Sequence, residues 1–121
     1  MDFDHAISAH SAWKGKLAKY LEHPDHSLQA AEIALDDHCE LGKWIVGEGK
    51  QFANLPEYST LKTEHSHFHK AAASVVRRAD SGQRVTEDVA LGGKSEFATA
   101  SANVVRSIMA LKSKVMTVGS R

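Results

Sequence analysis

The run Tyr58-Ser59-Thr60-Leu61-Lys62-Thr63-Glu64-His65-Ser66-His67-Phe68-His69 opens the stretch that decides the fold. Apolar or imidazole residues recur at Tyr58, Leu61, His65 and Phe68 with His69, then at Ala72, Val75 with Val76, and Ala79. Steps of three and four put them on one face, and the spacing predicts a helix over about 57–79. Asp80-Ser81-Gly82 ends it, Gly82 being suited to a left-handed cap. His65 and His69 stack one turn apart on the core face, whereas His67 points across the helix. Turning two imidazoles toward a core is costly unless something binds them.

Working outward, Phe3, Ile7, His10, Leu17 and Leu21, with Trp13 beside them, form the stripe of a first helix over about 3–22. Pro24 interrupts it, and Asp25 or Ser27 is the expected cap of a second helix over about 28–47. One stripe of that helix is Leu35, Cys39, Gly42 and Val46; a second is Ala34, Leu41, Trp44 and Ile45. Gly47-Glu48-Gly49 and Pro56 mark a loop. Thr86 is the expected cap of a fourth helix, weakened near its start by Gly92-Gly93. Its stripe is Phe97, Ser101, Val104, Ile108, Leu111, Val115 and Val118. Four amphipathic helices with short loops predict an all-α fold, an antiparallel four-helix bundle forming one domain over 1–121. The abrupt start at Asp2-Phe3-Asp4 and the final helix running almost to Arg121 read as cut points in a longer protein.

The composition narrows the function. In 121 residues there are 15 Lys and Arg against 15 Asp and Glu, so the net charge is zero and the basic footprint of nucleic-acid binding is missing. No apolar run reaches the ~20 residues of a membrane span. The single Cys excludes an internal disulfide and fits a reducing, cytoplasmic setting. Eight His beside one Cys is the unusual feature.

Helical phase divides those His. His10 lies three residues from both Ile7 and Trp13, on the apolar stripe, and Cys39 shares a stripe with Leu35 and Val46. His5, His23, His26, His38 and His67 fall elsewhere. A lone His on an apolar stripe is ordinarily a hydrogen-bonded core residue, and a lone buried Cys a small hydrophobe. Four such groups, His10, Cys39, His65 and His69, projecting from three helices toward one interior favour a metal. One thiolate with three imidazoles suits tetrahedral Zn²⁺, although iron and copper accept the same ligand types. Four protein ligands leave no position for water, so the site reads as structural or sensing, not as an enzyme's. Asp36, one turn before Cys39, is either an outer acceptor for an imidazole N–H or a solvated surface charge. Gly42 either lets a neighbouring helix approach or is a weak spot in its own. Trp13 is expected to pack beside the site, and Trp44 either in the core or against a partner subunit.

Three elements resemble one bacterial family, the chemoreceptor zinc-binding (CZB) domain. His10-Ser11-Ala12-Trp13 closes an Ala6-Ile7-Ser8-Ala9-His10 run and is similar to the family's His-x-x-Trp motif. Cys39-Glu40-Leu41-Gly42-Lys43-Trp44 is similar to its Cys-x-Leu-Gly-x-Trp, and His65-Ser66-His67-Phe68-His69 to its His-x-x-Phe-His. Pro56 and Tyr58 also fit the pattern. The resemblance implies Zn²⁺ held by His10, Cys39, His65 and His69 in a helical bundle that forms homodimers. It further implies a cytosolic module attached to a chemoreceptor signalling domain or a diguanylate cyclase. Such a module reports zinc availability or oxidants such as hypochlorous acid, with Cys39 as the redox-reactive ligand.

Three other classes compete. His65-x-x-x-His69 is similar to the metallopeptidase His-Glu-x-x-His helix, but Ser66 stands where its general base belongs. A hemerythrin-like di-iron carrier requires paired carboxylates, which the ligand stripes lack. A metal-free dimerisation module would use the seven-residue repeat from Phe97 to Val118. A peptide-hydrolysis assay tests the first, a visible iron–oxygen absorption band the second, and metal content the third.

Overall fold

The computed structural model describes residues 1–82 and 86–119, and among these every regular element is helical. The first expected helix is two consecutive ones, α1 (Phe3–Ser11) and α2 (Trp13–Glu22), separated only at Ala12. Asp2 caps α1 by accepting from the His5 N–H at 3.0 Å. The stripe falls as expected, with Phe3, His10 and Leu17 buried and Ile7 and Leu21 half-buried.

The second helix is the main departure from expectation. The stretch 28–47 holds only α3 (Ala30–Ile33) and α4 (Glu40–Val46), joined by turns. Neither expected cap serves α3: Asp25 accepts from the Ser27 N–H inside the preceding turn, and Gln29 stands at the N-terminus without a side-chain capping bond, its amide donating to the His26 carbonyl at 2.8 Å. Asp36, Asp37 and His38 belong to residue types whose side chains compete with helical backbone bonding or lose freedom in a helix, and here the chain leaves the helical path. The stripe built on Leu35, Cys39, Gly42 and Val46 therefore does not exist as one face. Leu35 and Val46 are 45% and 48% exposed. The second stripe survives on α4, where Leu41 and Ile45 are buried. A short 3₁₀ turn (Glu48–Phe52) follows.

The long helix is α5 (Pro56–Asp80), with Pro at its first position and Gly82 at φ 79° just beyond its end. Buried residues in the three consecutive positions Ala71, Ala72 and Ala73 mean that α5 is enclosed on several sides. The fourth expected helix is also divided, into α6 (Glu87–Leu91) and α7 (Glu96–Gly119). Thr86 caps the first at 3.2 Å as expected, and Ser95 caps the second at 3.0 Å, because Gly92-Gly93 interrupts the run. Phe97, Val104, Ile108 and Leu111 of its stripe are buried, while the Val118 side chain lies outside the described residues. The α5 helix packs along α7 and against α2 and α3, and α1 lies on α7. No helix among the described residues is long and apolar enough to cross a membrane.

Candidate metal centre

Three separate elements deliver four side chains to one point. His10 comes from the last turn of α1, Cys39 caps the start of α4, and His65 and His69 lie one turn apart on α5. A ligand atom from each falls within 4.8 Å of every other, and no other such His, Cys, Asp and Glu cluster occurs among the described residues. The Cys39 Sγ is 3.2 Å from His65 Nε2 and 3.5 Å from His69 Nε2, and the two Nε2 atoms are 3.0 Å apart. The edges of a zinc tetrahedron with the usual bond lengths are roughly 3.3–3.6 Å, so the three atoms stand within about 0.3 Å of the spacing one ion requires. His10 completes the group, its ring centroid 5.1 Å from that of His65 and 5.9 Å from that of His69. The other five His are exposed.

The orientation of the rings is fixed from behind. His10 Nδ1 pairs with the Ala6 carbonyl at 2.7 Å, and His69 Nδ1 with the Ile33 carbonyl at 2.9 Å. Each bond places the proton on Nδ1 and leaves Nε2 as the free donor toward the centre, the arrangement that metal-binding imidazoles require. Sequence reasoning missed both carbonyls. Only the four-residue step from Ala6 to His10 carried any signal, since main-chain acceptors have no residue type. Phe68 packs on His10, centroids 5.1 Å apart, and excludes water from that flank.

The local backbone explains why Cys39 points inward despite the broken helix. It is extended, at φ −83° and ψ 163°, and its Sγ accepts from the Gly42 N–H at 3.3 Å. The side chain thus acts as an N-cap turned toward α5. Gly42 allows a close approach, but of the Asp36–Asp37 turn instead of a neighbouring helix. Asp36 makes no direct bond to an imidazole; its charge acts on Cys39 and His69. Trp44 lies within the chain, edge-on to Phe3 at 5.4 Å and stacked on Phe52 at 6.1 Å. Trp13 packs against the core and carries the Lys16 ammonium over its ring at 4.8 Å.

Burial keeps the donor set neutral without a metal. It pushes His65 down to about 3, with His69 and His10 adding repulsion. His10 and His69 are also lowered by burial, against the opposing pull of the Ala6 and Ile33 carbonyls. The Cys39 thiol is raised, chiefly by burial, although the Gly42 N–H favours its thiolate. Three neutral imidazoles and one thiol, with ligand atoms gathered within 4.8 Å of one another, form a borderline-soft donor set that fits Zn²⁺.

The fold and site define a helical metal-binding module with one Cys and three His. A family model, the chemoreceptor zinc-binding domain, matches residues 10–76, a span that begins at His10 and contains all four residues. The chain belongs to this family, which binds zinc and serves in signalling. No curated protein and no solved structure matches the chain.

Proposed function

We propose that the chain is a sensory zinc-binding domain. In this reading His10, Cys39, His65 and His69 hold one Zn²⁺, and occupancy of the site or the state of the thiol is the signal. The observation that carries it is the convergence of one thiol and three imidazoles within 4.8 Å. Bound zinc would hold the Cys39 sulfur as thiolate, the form that oxidants attack. His65 and His69 contribute a rigid pair from one long helix. His10 and Cys39 tie α1 and α4 to it. Oxidation by hypochlorous acid would transfer two electrons from the Cys39 sulfur, leaving a sulfenic acid and releasing chloride. The sulfur would then cease to anchor α4, and the relative placement of α1, α4 and α5 would change.

The output would be an attached chemoreceptor signalling domain or diguanylate cyclase, reached through α7 or the start of α1. Counting α1 with α2 and α3 with α4, the framework reads as an antiparallel four-helix bundle forming one module. Exposed Leu35, Val46, Met109 and Met116 support a homodimer, and the free thiol supports a cytoplasmic setting. Four protein ligands leave no open position for a substrate or water, which supports a non-catalytic role.

Metal analysis of the purified chain, alone and as Cys39→Ser, tests the site. About one zinc per chain that falls away in the variant is expected; less than half a zinc, unchanged by the substitution, would refute it. Comparing helix positions and dimer affinity with and without zinc or oxidant tests the signalling. Identical values would leave a structural, zinc-stabilised dimerisation module.

A further inference from the structure

Two of the three imidazoles at the centre have a protein acceptor behind them, and the third does not. His10 and His69 pair through Nδ1 with main-chain carbonyls, whereas the close polar contacts of His65 are to Cys39 and His69, through Nε2. His65 is nevertheless 1% exposed. Beside it lies a cavity of about 30 Å³, lined by His65, Asp36, Gly42, Ile45, Val46 and Lys62. That is more than the roughly 10–15 Å³ that one water needs. His65 and Asp36 both line it, so a water there has polar residues within its reach, and apolar Ile45 and Val46 form another part of the lining.

We infer that Asp36 positions His65 through one water in this cavity, which accepts from Nδ1–H and donates to the Asp36 carboxylate. The bridge gives His65 what the carbonyls of Ala6 and Ile33 give the other two rings: one tautomer, one ring angle and a more basic Nε2. Asp36 reaches the site because its turn folds over Gly42, so the tight Asp36–Gly42 approach and the positioning of His65 share one origin. This inference rests on His65 being a zinc ligand. It gives Asp36 a positioning role, without direct contact with the metal.

The test uses the whole chain, with Zn²⁺ affinity measured by chelator competition and the His65 ring followed by nitrogen-15 NMR. Asp36→Ala should still bind one zinc at saturation but about 10–100-fold more weakly, the usual loss for an outer partner of a metal-binding His. Asp36→Asn keeps an acceptor oxygen and should recover most of that loss. If Asp36 acts through its charge alone, the Asn variant will be as weak as the Ala variant, and the bridge is overturned. In the zinc-loaded wild type, His65 Nδ1 should carry a slowly exchanging proton with a cross-peak to bound water, and exchange should quicken in Asp36→Ala. An unprotonated Nδ1, or equal affinity and exchange in wild type and Asp36→Ala, also overturns it. Zinc-binding wild type with an indifferent Asp36 defeats this inference alone; a wild type that binds no zinc defeats the Cys-His₃ reading and this inference with it.

Discussion

The main-chain carbonyl of Asp36 lies against Gly42 so closely that a Cβ there would stand 1.7 Å from its oxygen. The obstacle is backbone, so no side-chain rotation relieves it. Gly42→Ala should therefore displace the turn that leads into Cys39, costing about 1–3 kcal/mol or more in metal-free stability. Denaturant unfolding of both proteins, with and without zinc, checks this. Unchanged stability and unchanged zinc affinity would show that the turn is not held as described.

Cys39 has two duties, capping α4 and presenting sulfur, and two substitutions separate them. Ser retains a cap that accepts from the Gly42 N–H, whereas Ala removes it, a loss of about 1 kcal/mol. Both variants should lose tight zinc binding, but only Cys39→Ala should be measurably less stable without metal. Thermal unfolding in a chelator, beside metal analysis, reads both effects.

Zinc uptake near neutral pH should release about one proton per ion. The three imidazoles are already unprotonated, their values lowered chiefly by burial, while burial keeps Cys39 as thiol. Only the thiol has a proton to lose, so affinity should rise roughly tenfold per pH unit up to its raised value. Titration calorimetry in buffers of different ionisation enthalpy gives the count. Release of two or three protons would contradict the neutral imidazoles.

The metal-free chain should lose stability as the solution is acidified through 6.5, the ordinary His value. Below that pH the unfolded chain takes up protons that folded His65, lowered to about 3, refuses. Each such His makes stability fall by about 1.4 kcal/mol per pH unit between its unfolded and folded values. His10 and His69 are lowered too and should steepen the fall. Urea unfolding at several pH values between 7.5 and 4 measures the slope, and His65→Gln should make it shallower.

Periodicity recovered α5 and the buried stripe of α7 because those helices are long and their apolar steps regular. It also selected the four converging residues, but for Cys39 the reason differed from the outcome. Leu35, Cys39, Gly42 and Val46 obey helical spacing, yet Leu35 and Val46 are exposed and the helix begins only after Cys39. An N-cap residue and a mid-helix residue can occupy the same place in an apolar pattern. Only the backbone at Asp36–Cys39, set by a close approach that the sequence marks with a single Gly, distinguishes them. The carbonyls behind His10 and His69 were illegible for a simpler reason: every residue has one.

Cys39 and His65 are 26 residues apart in the chain, and everything between them except α4, a short 3₁₀ turn and the start of α5 is irregular. A covalent staple closing a loop of that length is worth roughly 3 kcal/mol through the freedom it denies the unfolded chain. A chain with one thiol has no partner sulfur with which to make such a staple. An ion shared with His65 would close the same loop, and chelation would open it without reduction. The centre would then double as a removable clasp.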